Sequence, residues 1–481
     1  MSLSTQLRLV AAILFAGSCF VAAAQDFTAG ALSYEILSEE DQTVAIVEGD
    51  DYYEDLTTAD FPAQVTNDGV TYTVVAIGEY ALSGATFAED IVLPSTITSI
   101  GEYGLSECEG ERVTLPANLE DYDPTSFQTC MISGFVIDEA NSVLATVDGV
   151  LMTKDKKTIV CYPAMREGAT YVVPEHVSVI GESAFRGGDE YLEEVLFHQG
   201  MTIENFAFKD NGNILRVDLP GDIVLSQGSF TGCEAVTELV LGEGIKEVPV
   251  NCFFDLCSLT SLTLPSTLEK IQSKGFGFCE ELAEVKFPAK LSYIGASAFG
   301  DCGKLTAVDF ANVAELGEYA FARTGLTAIE LPRVTTVGDF AFAQCNSLTS
   351  ADLSGATDLG ASVFFRCPAL SDLKLGSKTE SIGGTFLYEC TAIESLSIPA
   401  SVTSIGNGML VGTSALTSVA VDEGNQTYKS VDNIIYTADM KSVVSAPCGF
   451  ADWAVELPEG VTTVEAMAFR KCAGLVSVVL P

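Results

Sequence analysis

Two residue types in this 481-residue chain have chemistry to offer, cysteine and carboxylate, and the spacing of each decides which chemistry that is. Nine of the 14 cysteines, Cys108, Cys130, Cys233, Cys279, Cys302, Cys345, Cys367, Cys390 and Cys472, stand three residues after a recurring Phe or Leu. Gly188, Asn211, Thr324 and Thr413 fill the same slot elsewhere. A slot that accepts any small residue is a packing slot, and free Cys packs as a small hydrophobe. Neighbours in the column are candidates for oxidation where their side chains approach each other. Cys-x-x-Cys pairs, which a zinc site would use, do not occur. Cys19 follows Ala16-Gly17-Ser18 inside an apolar run and lacks the Leu of a lipoprotein signal.

Carboxylates outnumber basic residues 66 to 24, for a net charge of −42. Such a surface repels nucleic acid and anionic lipid, both of which need clustered Lys and Arg. Acid–base catalysis finds little support. The two histidines, His176 and His198, fall in a loop and at a strand end, and no Gly-rich phosphate loop or Gly-x-Ser-x-Gly elbow is present. Asp and Glu are scattered instead of paired as a glycosidase would pair them. Gly49-Asp50-Asp51 and Asp138-Glu139 lack the loop spacing of an EF-hand and read as hydrated turns. The expectation is no enzyme, no metal and no cofactor.

A ladder explains the spacing. Leu82, Leu105, Phe127, Phe185, Phe208, Phe230, Phe253, Phe276, Phe299, Phe321, Phe342, Phe364, Leu387, Leu410 and Phe469 recur mostly 21 to 23 residues apart. A repeat of that length with one short strand is the leucine-rich-repeat pattern, in which each unit buries its apolar face only against its neighbours. Runs such as Ala283-Glu284-Val285-Lys286-Phe287 alternate, with Val285 and Phe287 on one face and Glu284 and Lys286 on the other, as a half-buried strand does. Pro often follows and ends the strand. The remainder, Leu-x-x-Ile-Gly-x-x-Ala-Phe, reads as a return whose Gly permits a bend and whose helical or 3₁₀ turn points Phe inward. The expected fold is an α/β repeat solenoid, β-rich, with one short strand and one short helical or 3₁₀ return per repeat.

Residues 1–24 carry Arg8, an apolar run and Ala22-Ala23-Ala24, the pattern of a cleavable export signal. Residues 25–71 lack the ladder and predict an N-terminal β cap, and 72–481 the solenoid. Two gaps of 58 and 59 residues, after Phe127 and Leu410, hold similar sequences. Ile137-Asp138-Glu139-Ala140-Asn141 matches Val421-Asp422-Glu423-Gly424-Asn425, and Val147-Asp148-Gly149-Val150 matches Val431-Asp432-Asn433-Ile434. Both predict β-hairpin inserts, at about 138–172 and 422–456.

The Ile294-Gly295-Ala296-Ser297-Ala298-Phe299 repeat, the Leu-Pro strand ends, the Val-Asp-Gly-Val insert and the N-terminal segment from Tyr72 to Gly78 together resemble the BspA-like leucine-rich-repeat proteins of Bacteroides-type bacteria. The resemblance spans about residues 30–481 and implies a secreted or cell-surface adhesin for host or microbial proteins. The solvent-facing strand columns, with Arg216, Asp218, Glu238, Glu284, Lys286, Asp309, Glu330 and Asp352, are the expected ligand-binding face. They hold no Trp or Tyr, so a broad, multivalent contact with a basic or glycosylated partner fits better than one hot spot. Tyr436 and Trp453, the sole Trp, mark the second insert as a candidate local site. The alternative expectation is carbohydrate capture in a glycan-uptake system, centred on Trp453.

Overall fold

The structure is a computed structural model that describes residues 25–49, 53–187 and 191–481. The expected export signal, most of the Gly49-Asp50-Asp51 turn and Gly188 lie outside the described residues. The chain divides into two compact units at Arg166/Glu167.

In the first unit, Phe27–Ala29, Leu32–Ser38 and Thr43–Val47 pair antiparallel. Thr43–Val47 then runs parallel to Val70–Ile77, which pairs antiparallel with Gln64–Asn67 and parallel with Ser99–Ile100. A second parallel set stacks Ile91–Val92, Arg112–Leu115 and Gly134–Ile137 in register. Each repeat thus gives two strands to two sheets, with Leu82, Leu105 and Phe127 buried between them.

The second unit repeats this plan. Thr170–Val172, Glu194–Leu196, Arg216–Leu219, Glu238–Leu241 and Ser261–Thr263 form one parallel sheet, and Ala328–Glu330, Ser350–Leu353 and Asp372–Leu375 another. Between these sheets the ladder thins to a single bridge, Glu284 to Ala307. Opposite runs a file of two-residue strands from Glu247–Val248 to Ser404–Ile405. The interior is a column of rings. Phe208 stacks on Phe230 at 4.8 Å and 2°, Phe299 on Phe321 at 5.3 Å and 9°, and Phe321 on Phe342 at 5.8 Å and 13°. Phe310 closes edge-on against Phe321 and Phe342. The one-repeat rise of a parallel sheet, about 4.8 Å, suits offset-stacked rings, so the same residue type works at every level.

The expected helical or 3₁₀ return is not what forms. Among the described residues the single helical turn is the 3₁₀ turn Thr58–Asp60, outside the repeats. In its place the return sets one left-handed residue on each side of the ladder position. The positions two before and two after the ladder Phe are left-handed, as at Tyr319 and Arg323 (φ 55° and 60°) and Phe340 and Gln344 (55° and 57°). This turns alternate N–H groups along the stack. Tyr319, Phe321 and Arg323 donate to the carbonyls of Asp339, Ala341 and Ala343 at 2.8–2.9 Å, and Phe340, Phe342 and Gln344 repeat the pattern one level on. A left-handed L-residue costs about 1–2 kcal/mol. Here that cost gives these N–H groups acceptors one repeat away, which a helical turn of this length, with its first N–H groups unpaired, would not achieve. The glycine of the Ile-Gly pair also has a different task from the expected bend: a Cβ on Gly338 would lie 2.4 Å from the Gly317 carbonyl carbon, so it is there for close backbone stacking.

Both ladder gaps contain antiparallel strands, Leu144–Val147 with Val150–Thr153 and Tyr428–Val431 with Ile434–Thr437. Each begins at a buried Asn. Asn141 donates to the carbonyls of Pro116 and Leu119 (2.9 and 2.8 Å) and accepts from the N–H groups of Val143 and Leu144. Asn425 makes the same four bonds, to Pro399, Val402, Thr427 and Tyr428.

Candidate binding face

The cysteine column explains itself once the return is built. The ladder Phe carbonyl lies outside the axial hydrogen-bond files and points into the core. The thiol of the next repeat reaches it: Cys302 to Phe276 at 3.2 Å, Cys345 to Phe321 at 3.2 Å, Cys367 to Phe342 at 3.1 Å and Cys390 to Phe364 at 2.9 Å. Asn211 does the same for Phe185. Burial pushes the Cys345, Cys367 and Cys390 thiols up, Cys390 to about 12, so these three are protonated donors and not nucleophiles. Cys448 and Cys472 form a disulfide.

Nothing in the histidines converges on a reaction centre. Both ring nitrogens of His198 face backbone carbonyls, of Gln199 and Pro174, at 3.1 Å. Among the described residues no group of three or more His, Cys, Asp or Glu is placed to hold a metal ion. Asp138, in one of the acidic turns, accepts the Ala140 N–H at 2.9 Å.

Of the solvent-facing strand residues, Arg216 is tied down by Asp218 at 3.1 Å and by Glu238, its cross-strand partner, at 3.7 Å. Glu330, Asp352 and Lys374 stand side by side in register on three strands. Lys374 donates to Asp352 at 2.8 Å, and against the opposing effect of burial its bond and those from Ser354 hold the Asp352 carboxyl below the usual range. Glu284, Lys286, Asp309, Glu330 and Asp372 are exposed or nearly so. From Glu284 to Lys374 the two columns carry five carboxylates against two lysines, one of them paired with Asp352. The strand face therefore presents excess negative charge with no aromatic anchor in these columns.

The second-insert residues are placed differently. Tyr436 is 2 % exposed, in a cluster with Ile434, Val443 and Leu457, and presents no surface to a ligand. Alternation puts it on the inner face of its hairpin. Trp453 is half-buried, packed on Phe450 at 4.9 Å and near Phe469 at 6.4 Å, and its strand Trp453–Glu456 pairs with Leu475–Val479.

One surface feature escaped the sequence reading. Tyr319 stacks on Phe340 (4.7 Å, 4°) and Phe365 on Tyr388 (4.8 Å, 13°) along the return, partly exposed. Arg366 covers the Phe365 ring at 5.1 Å and Lys471 the Tyr388 ring at 4.7 Å. Both cations also pair with Glu389, whose carboxyl is held below its usual range by the Lys471 bond first, then, against desolvation, by Arg366. Aromatics in the columns flanking the ladder Phe in successive repeats were the available signal.

Short-strand repeats stacked around an apolar core in each unit make this a leucine-rich-repeat β-solenoid. The chain belongs to the BspA type leucine-rich-repeat family, whose profile matches residues 58–143, 167–256, 201–326, 246–367 and 314–434. Similar solved structures include a leucine-rich repeat protein from Bacteroides ovatus (20 % identity, 94 % of each chain, TM-score 0.43). Others are a leucine rich cell surface protein from Faecalibacterium prausnitzii (20 %, 94 % of each chain, 0.38) and a leucine-rich repeat protein from Eubacterium ventriosum (16 %, 59 % of this chain and 95 % of that one, 0.42). Among curated proteins none matches the chain. Leucine-rich-repeat proteins are in general non-catalytic scaffolds for protein interaction. No helix among the described residues is long and apolar enough to cross a membrane.

Proposed function

We propose that this protein is an exported adhesion module whose acidic strand face, from Glu284 to Lys374, holds a basic extracellular protein of host or microbial origin. The observation that carries this is the excess negative charge of the solvent-facing columns, with Glu284, Asp309, Glu330 and Asp372 exposed and in none of the ion pairs seen among the described residues. Charge on an open sheet without aromatic anchors gives fast, salt-sensitive and individually weak contacts, which a repeat array multiplies. The export signal at residues 1–24 and the β cap at 25–71 complete the reading: the chain leaves the cell and its first repeat is shielded.

Carbohydrate capture centred on Trp453 receives less support, because that ring packs on Phe450 and Phe469. The purified mature chain, presented to a panel of extracellular-matrix proteins and to whole bacteria, is expected to bind basic partners at low salt and release them at high salt. Binding that ignores salt, or capture of glycans lost on Trp453→Ala, would replace this reading.

A further inference from the structure

The thiol column has one member that breaks its own rule. Every other buried thiol described above donates to the carbonyl of a ladder residue one repeat back, and Cys130 does so to Leu105 at 3.1 Å. Cys108 instead points at a sulfur: its thiol lies 3.6 Å from Cys130 Sγ, with both residues fully buried. The third thiol nearby, Cys161, also lies beside Cys130 but donates to the Phe127 carbonyl at 3.0 Å, a bond that Cys108 lacks. Cys108 and Cys130 are 22 residues apart and occupy the same slot of successive repeats, so their backbones are held side by side by the flanking parallel strands Arg112–Leu115 and Gly134–Ile137.

From this we infer that Cys108 and Cys130 form a second covalent link between neighbouring repeats, in addition to the Cys448–Cys472 disulfide, and that it joins the Leu105 and Phe127 levels of the first unit. The sulfurs must approach from 3.6 Å to about 2.05 Å, a shift within reach of side-chain rotation when the two repeats are already in register. The oxidant is a disulfide, either a small molecule such as glutathione disulfide or the oxidised, disulfide form of a thiol–disulfide oxidoreductase. A Cys130 thiolate attacks it, the mixed disulfide is resolved by Cys108, and two protons and two electrons pass to the oxidant, which leaves as two thiols. Because both sulfurs are fully buried in the folded protein, out of reach of an oxidant, and burial holds the Cys130 thiol protonated, the bond forms during folding, before the repeats close, and not by attack on the finished core. The link does not depend on the proposed ligand.

Denatured, reduced full-length chain refolded in a glutathione redox buffer, then denatured and alkylated, provides the test. Peptide mapping is expected to show a Cys108–Cys130 cross-linked peptide, two hydrogens lighter than its halves, beside the Cys448–Cys472 one. Cys161 and the carbonyl-bonded thiols other than Cys130 are expected to be alkylated. In limited proteolysis, wild type refolded this way should resist cleavage in the first unit several-fold longer than Cys108→Ser, and a phosphine reductant should erase that difference. Because Cys108→Ser keeps Cys130 and its bond to Leu105, folding of the variant is preserved. Full alkylation of both Cys108 and Cys130, or a Cys130–Cys161 peptide in their place, would overturn the inference.

Discussion

The two hairpin regions, one after Phe127 and one after Leu410, share their turn chemistry and differ in how they are fastened. In each, a buried Asn makes four bonds at the point where the chain leaves the ladder. In each, an Asp caps the following turn: Asp155 accepts from Thr153 and Lys157, Asp439 from Thr437 and Lys441. Fastening diverges beyond that. Cys161 of the first is a thiol bonded to the Phe127 carbonyl, whereas Cys448 of the second is covalently joined to Cys472. Tyr428 of the second also accepts the Ile405 N–H with its hydroxyl, a bond for which the first has only Leu144 at the matching position. The hairpin is thus specified by a few local polar residues, and its attachment can vary without changing it.

The sharpest way to break the comparison is at the shared Asn. Asn141→Leu and Asn425→Leu each remove four hydrogen bonds and leave one buried carbonyl, of Leu119 or Val402, and two N–H groups without that partner, and each is expected to cost about 3–5 kcal/mol in urea unfolding. A large cost at one site alone would mean that the two asparagines do not play equivalent parts. Next comes the fastening. Cys448→Ser removes a cross-link between residues 24 apart and should cost about 2–4 kcal/mol. Cys161→Ser, which keeps a donor toward Phe127, should cost about 1 kcal/mol or less. Equal losses would show that the disulfide adds nothing to the second region.

Smallest is the acid response of the turns. Asp155 is held below its ordinary value of 3.8 first by the Lys157 N–H and then by Thr153, and Asp439 first by Thr437 and then by Lys441. A carboxyl with a depressed folded value contributes stability that is present above its ordinary value and disappears as pH falls through the folded one. Both turns should therefore loosen together, only below about pH 4, as faster amide exchange at Lys157 and Lys441. Asp155→Asn and Asp439→Asn should abolish that pH dependence in their own turn only.

Much of the fold was legible in the sequence because the ladder residues and alternating strands are under one simple demand, burial at a fixed interval. Phe299, Val285 and Glu284 sit inside, inside and outside as their phase requires. The return was not legible. A short apolar segment with Ala before Phe reads as a helical turn, and what overrides that local preference is a partner one repeat away: the N–H of Phe321 finds Ala341 instead of a carbonyl in its own turn. Left-handed residues such as Arg323 and Gln344 carry no glycine to announce them. The cysteine column was legible as packing, but not as a donor to the Phe carbonyl, since nothing in the spacing says which carbonyl is stranded. Tyr436 and Trp453 show the limit for sites: an aromatic residue in a hairpin looks the same in sequence whether it faces a ligand or the core, and these two face the core wholly and in part.

The proposed function rests on the charge of one face, and that charge can be removed without touching the core. Binding of the mature chain to immobilised basic extracellular-matrix proteins, compared with that of an Asp309→Asn, Glu330→Gln, Asp372→Asn triple variant across a salt series, is the most direct test. The expected result is wild-type binding that falls as salt rises, and a variant that binds about tenfold or more weakly with a flatter salt dependence while unfolding like wild type. A variant that binds as tightly as wild type, at every salt concentration, would contradict the assignment of this face.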